Sequence, residues 1–176
     1  ADHFTPDFEY FLQKGIGGVL LDIKNSMEKH KRDSDKLEFL DCCKITLEGL
    51  SAMISGYADE AFKLGKFEEG KICRKISKDA PESFREALQL VWLTEESFFA
   101  EGRYAMALGR MDTYLYPYYE KDIKSGSLAP GFAEELLACT FLKIDEHRLF
   151  ANDEEVVNIC IGGEKREGGR AENELS

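Results

Sequence analysis

Within the twelve residues from Leu108 to Tyr119 stand a glycine, an arginine, an aspartate and four tyrosines. That density suits the wall of a polar pocket. The Arg110 guanidinium can fork two hydrogen bonds onto a carboxylate, Asp112 offers an anionic acceptor, and each tyrosine joins an apolar body to a hydroxyl tip. The same residues also fit a purely structural role, with Arg110 and Asp112 paired to hold a helix start and the tyrosines packed. Upstream, Glu95 falls among the apolar residues of a helical stripe. A buried acid there would have a perturbed proton affinity, but glutamate is so rarely buried that a rim position is the expectation.

Other chemistries find little support. His3, His30 and His147 lie far apart, and none belongs to a His/carboxylate pair at metal-binding spacing. Gly15-Ile16-Gly17-Gly18 has no strand before it, and the helical stripe runs on through it, so close helix packing is preferred over a phosphate loop. No G-x-S-x-G elbow is present for a triad. Cys42 and Cys43 sit together in mid-helix and read as packing residues.

The elements that position these residues follow from periodicity. Apolar residues recur at helical spacing from Phe8 to Met27, then from Leu37 to Phe62 behind an Asp35/Glu38 capping box. A short helix is expected from Phe67 to about Ile76, closed by Lys78-Asp79-Ala80-Pro81. Ser83 and Glu86 offer a second capping box for a helix carrying Phe84, Leu88, Val91, Trp92 and Phe99. Arg103 to Leu108 keeps no period and is expected as a loop or short extended piece. Asp112 to Lys124 reads as helix despite Pro117, and Pro130 opens another whose stripe reaches Leu149. Val156 to Ile161 is the one strong strand candidate. The fold class is therefore mainly α, about six helices with a short C-terminal strand. A lone strand leaves its backbone groups unpaired, so its partners are expected outside the chain. The charged, glycine-rich residues from Gly163 to Glu174 are expected to be mobile.

With 43% hydrophobic and 11% aromatic residues, 176 residues suffice for a substantial core. A formal net charge of −11 opposes nucleic acid and anionic membrane surfaces. No apolar run approaches the roughly 20 residues that span a bilayer. Five cysteines, odd in number and without C-x-x-C spacing, read as reduced intracellular thiols, which points to the cytoplasm. The first residue is not Met and no signal peptide opens the chain, so both ends read as internal to a longer polypeptide.

Ala107 to Tyr119 resembles a stretch of the glycyl radical enzymes of the pyruvate formate-lyase type, S-x-G-R-x-D-Q-Y-x-Y-P-Y-Y. The resemblance extends to Pro81–Gln89 upstream, and to Glu134-Glu135-Leu136-Leu137 and Phe141-Leu142-Lys143 downstream. It continues through Ile161-Gly162-Gly163 and Ala171-Glu172-Asn173-Glu174-Leu175-Ser176, similar to G-G-x-x-x-x-G-x-D-A-x-N-E-L-S, and His3-Phe4-Thr5-Pro6-Asp7 matches the family's opening helix.

This resemblance implies that residues 1–176 are an internal piece of one large α/β barrel domain, with no separate second domain. It implies a reaction in which a glycine-centred radical relays to a cysteine, whose thiyl radical abstracts hydrogen from a small polar metabolite. A separate activating enzyme using S-adenosylmethionine and an iron–sulfur cluster would install the radical, and the parent would be a homodimer of a lyase, dehydratase or formate acetyltransferase kind. The family's G-C-x-E and R-V-x-G-Y loops do not occur in this sequence, so none of the five cysteines inherits the catalytic role, and the piece alone is expected to be inactive. Asp112 matches an aspartate near the substrate, and Arg110 the neighbouring arginine that supports the pocket wall. Ala107 stands where dehydratases and decarboxylases often keep a substrate-binding serine, and Thr113 replaces a glutamine. Both departures alter which substrate groups the pocket can satisfy. The alternative is a free-standing acidic helical domain that binds a protein partner through an apolar patch.

Overall fold

A computed structural model describes residues 4–103, 105–147, 157–165 and 167–176, without the side chain of residue 147. Six helices and two short strands occur among them, in the order α1 (Phe8–Lys29), α2 (Ser34–Lys63), α3 (Phe67–Ile76), α4 (Phe84–Ala100), β1 (Ala107–Gly109), α5 (Met111–Ser125), α6 (Pro130–His147) and β2 (Asn158–Ile159). His3, Leu149 and Val156 lie outside the described residues. The chain divides into two compact units, residues 9–81 and residues 1–8 with 82–176.

In the first unit, α2 and α3 pack face to face. Ile54 and Ala58 of α2 are fully buried, as is Ile76 of α3, with Cys73 nearly so. Gly70 makes the approach close, because a Cβ there would lie 2.7 Å from the Phe62 ring. Polar ties run from α2 as well. The Ser51 hydroxyl donates to Ser77 O at 2.6 Å, and Arg74 reaches Ser55 and Asp59. The helix starts at an earlier cap than the Asp35/Glu38 box, since the Asp33 carboxylate accepts from Lys36 N. Asp33 in extended conformation frees its side chain for this, whereas Asp35 already lies in the first turn.

α1 corrects another expectation. Its stripe does not run unbroken, because Gly15 leaves the helical region at φ 63, ψ 172. The break lets the 78–80 turn press onto the helix, where Gly17 N donates to Lys78 O at 2.7 Å. Close packing is indeed what the glycines permit.

In the second unit, α4 opens with the Ser83/Glu86 capping box in both directions, a motif worth about 1 kcal/mol. Asp122 from α5 adds a buried acceptor, its carboxylate taking Phe84 N at 2.8 Å, while Lys121 donates to Glu82 O at 2.6 Å. These contacts fix the start of α4 against the end of α5, alongside the Phe84–Tyr119 edge contact at 5.8 Å. Phe84, Leu88, Leu90, Val91 and Leu93 of α4 and Met111, Tyr114 and Leu115 of α5 are buried in the core, each contributing about 1.5–3 kcal/mol.

β1 and β2 pair in parallel, Ala107 opposite Asn158 and Gly109 opposite Ile159. A parallel pair needs a long crossover, and α5 and α6 lie in it. The partner for β2 therefore lies within the chain, contrary to the expectation of a strand pairing only elsewhere. On its other side β1 meets the N-terminal residues, with Ala107 N donating to Phe4 O at 2.9 Å. Beyond β2 the Gly163–Glu174 stretch folds back on itself: Ala171 N donates to Gly163 O and Lys165 N to Gly169 O, each at 2.9 Å, around a Glu164–Arg170 bridge. Gly163, Gly168 and Gly169 there, and Gly162 just before them, have positive φ.

Candidate functional site

The β1–α5 junction builds the candidate site. Gly109, at φ +64, turns the chain out of β1, and Arg110 and Asp112 follow at the first turn of α5. Both strands run into this place with their carboxyl ends, since Cys160 N donates to Gly109 O at 2.8 Å and the Gly162 turn follows directly. In parallel α/β architectures the carboxyl ends of strands are where loops converge to bind ligands.

Asp112 is only 2% exposed. Its Oδ2 accepts from Gly162 N at 2.6 Å and from the Ser176 hydroxyl at 2.7 Å, and its main-chain oxygen accepts from Asn173 Nδ2 at 2.9 Å. At the first turn of α5 the carboxylate also meets the positive end of the helix dipole. Among the described residues Arg110 makes no pair with Asp112. Its guanidinium donates instead to the carbonyls of Gly162 and Glu164, and its buried Nε has no hydrogen-bond partner among the described residues. Ala107 is half-buried in β1. Arg110 and Asp112 thus share the strand–helix junction while Ala107 stands at the opening residue of β1, and the Arg110–Asp112 pair weighed from sequence is replaced by a joint grip on Gly162.

The tyrosines have separate roles. Tyr114 is buried and donates to Leu108 O at 2.9 Å, tying α5 back to β1. Burial, reinforced by the Glu95 and Asp112 charges, pushes its phenol well above the usual range, so it stays a donor. The Tyr116 hydroxyl bonds to Glu174, which raises the phenol to about 12 and lowers the glutamate. Glu95 is not on the rim. It is 1% exposed, and its Oε2 has no hydrogen-bond partner among the described residues. Burial raises its carboxyl to about 8, with Glu96 adding repulsion.

Sequence reasoning missed Gly162, Asn173 and Ser176 as partners of Asp112. All three stand in the glycine-rich and A-x-N-E-L-S stretches, yet nothing in their spacing names an aspartate 50 to 64 residues earlier. Among the described residues no group of His, Cys, Asp and Glu is arranged to hold a metal ion. No described helix is long and apolar enough to cross a membrane.

The junction gives a direct prediction. A Cβ on Gly109 would lie 2.7 Å from the Thr5 methyl, in a left-handed conformation. Gly109→Ala is expected to cost about 2 kcal/mol, from backbone strain and overpacking together. Gly102→Ala, at φ +74 with open space around it, should cost only the backbone part. Denaturant midpoints compare the two, and equal losses would show that the Thr5 contact contributes nothing.

Parallel strands joined through helices, with a polar junction at their carboxyl ends, define a segment of an α/β fold. The chain belongs to the pyruvate formate lyase-like family, which matches it over residues 1–176. It is 27% identical to (2S)-3-sulfopropanediol dehydratase of Klebsiella oxytoca, covering 100% of this chain and 24% of that protein. It is 32% identical to the 4-hydroxyphenylacetate decarboxylase glycyl radical subunit of Clostridioides difficile, covering 80% of this chain and 18% of that one. Among solved structures, the glycerol-bound B12-independent glycerol dehydratase of Clostridium butyricum superposes with a TM-score of 0.90 at 26% identity, over 98% of this chain and 25% of the other. The chain thus spans about a quarter of the length of the relatives it matches. These relatives are enzymes, dehydratases and a decarboxylase among them.

Proposed function

We propose that the protein is a glycyl radical lyase or dehydratase acting on a small polar metabolite, and that residues 1–176 supply outer helices and one wall of its substrate pocket. The observation that carries this reading is the placing of Arg110 and Asp112 at the carboxyl ends of a parallel strand pair whose first strand Ala107 opens. That is where such folds collect the groups that bind and orient substrate. Family membership supports the reaction class, and the dehydratase and decarboxylase relatives support a hydroxylated or carboxylated substrate.

In this reading both compact units belong to one barrel domain. The radical chemistry is supplied by a backbone glycine and a cysteine in loops that these residues do not contain, so residues 1–176 alone turn nothing over. Ala107 leaves the pocket one hydroxyl poorer than a serine would, which favours substrates that do not depend on a donor there. The intact protein is expected to be a cytoplasmic homodimer, activated anaerobically by an S-adenosylmethionine and iron–sulfur enzyme.

The test begins with the continuous reading frame, which should carry both a G-C-x-E and an R-V-x-G-Y loop downstream of Ser176. Anaerobic incubation with an activating enzyme should then produce a glycyl radical signal in electron paramagnetic resonance. A frame that terminates without either loop removes the enzyme reading and favours the acidic interaction domain, for which the exposed Phe39 and Ile45 of α2 speak.

A further inference from the structure

We infer that Asp112 is a positioning residue, a clasp that draws the Gly162 turn and the Asn173–Ser176 turn onto the β1–α5 junction and acts on the pocket through them. This deepens the reading just given and rests on it for what is being positioned.

Two separate segments converge on this one carboxylate. A carboxylate oxygen has two lone pairs, and Oδ2 of Asp112 meets two donors, Gly162 N at 2.6 Å and Ser176 Oγ at 2.7 Å. Among the described residues, Oδ1 accepts only from the Thr113 hydroxyl, at 3.3 Å. Hydrogen bonds to an ionised acceptor are about twice as strong as neutral ones, and burial shields them from water.

The Gly162 peptide is held on both sides. Its N–H goes to Asp112, and its carbonyl accepts from Arg110, which also takes the Glu164 carbonyl. The positive φ of Gly162, +65, turns the chain there, and a Cβ would come within 3.2 Å of the Glu172 side chain. The second segment is shaped to deliver its donors. Asn173 accepts from Leu175 N at 2.8 Å and donates its own N–H to Ser176 Oγ at 3.1 Å, a closed turn that aims Asn173 Nδ2 at Asp112 O and the serine hydroxyl at Oδ2.

The test is hydrogen exchange in the intact protein, read at the Gly162 amide and across residues 157–165 and 170–176, with turnover measured beside it. Asp112→Ala, Ser176→Ala and Asn173→Ala should each speed exchange about tenfold or more in these segments. Asp112→Ala combined with Ser176→Ala should be no faster than Asp112→Ala alone, because both remove one unit. Asp112→Asn keeps an accepting oxygen and should restore part of the protection. Ser176→Ala carries the test should Asp112→Ala fail to fold. In turnover, Asp112→Ala should lower kcat with KM unchanged, and Ser176→Ala and Asn173→Ala should do the same.

Native exchange at Gly162 in both Asp112→Ala and Ser176→Ala would overturn the clasp. So would a raised KM confined to the Asp112 variants with native exchange in Ser176→Ala and Asn173→Ala, which would assign Asp112 to the substrate. A wild-type protein without radical or turnover would sink the enzyme reading, while the exchange data would still decide the clasp.

Discussion

Gly15→Ala should destabilise the protein by about 4 kcal/mol or more, the largest effect expected of a Cβ added at any of the glycines. The new Cβ would lie 2.4 Å from Ala80 N, 2.6 Å from Ala80 Cα and 2.7 Å from Asp79 C. These are backbone atoms and cannot swing aside as a side chain end can. The residue also sits at φ 63, ψ 172, a region essentially reserved for glycine. Relief would require the 78–80 turn to withdraw, which breaks the Gly17 N to Lys78 O bond and disturbs the start of the segment leading to α4. Gly49→Ala is the control, since it lies inside α2 with open space around it and should gain up to about 1 kcal/mol from helix propensity. Chemical denaturation of both variants checks the pair. Equal stability would mean that the turn does not press on α1 as described.

The contrast between these two glycines shows what a sequence can and cannot disclose. Both read as glycines within helical periodicity, and only the approach of residues 78–80 separates them. Local signals were legible where a motif closes within one turn: α3 spans Phe67–Ile76 as expected, and the Ser83/Glu86 box starts α4 at the expected residue. Asp33 and Asp35 show the limit of the same rule, because both are competent caps and only backbone conformation chooses between them.

β1 was harder to see. Ala107-Leu108-Gly109 has no β-branched residue and ends on a glycine, so its extended form owes more to Phe4 and β2 on either side than to its own preferences. The same holds for chemistry. Arg110 and Asp112 were legible as candidates from their types, but their partners were not, because Gly162, Asn173 and Ser176 arrive through a crossover and a glycine-rich fold-back that no spacing rule encodes. Asp122 is a further instance, a carboxylate on α5 that caps Phe84 N from 38 residues away.

Glu95 carries the second large effect, and its sign follows from proton linkage. Burial raises the carboxyl from an ordinary 4.5 to about 8, with Glu96 on the same helix contributing and Tyr114 of α5 feeling the Glu95 charge. Between these two values the folded protein keeps a proton that the unfolded chain has released. Stability is therefore fully present below about pH 4.5, falls as pH rises, and levels above about pH 8. By pH 7 the loss amounts to roughly 3 kcal/mol. Glu95→Gln keeps the shape and the neutral polar head but cannot ionise. It should match the wild type near pH 4.5, exceed it by roughly 3 kcal/mol at pH 7, and lack the decline between. Denaturation at a series of pH values reads this out, and a wild-type profile that stays parallel to that of Glu95→Gln would mean the carboxylate is stabilised where it lies. An acid kept neutral inside α4, one helix away from the Arg110–Asp112 junction, holds its proton at a cost in stability. Its Oε2, without a hydrogen-bond partner among the described residues, is the structural mark of that cost.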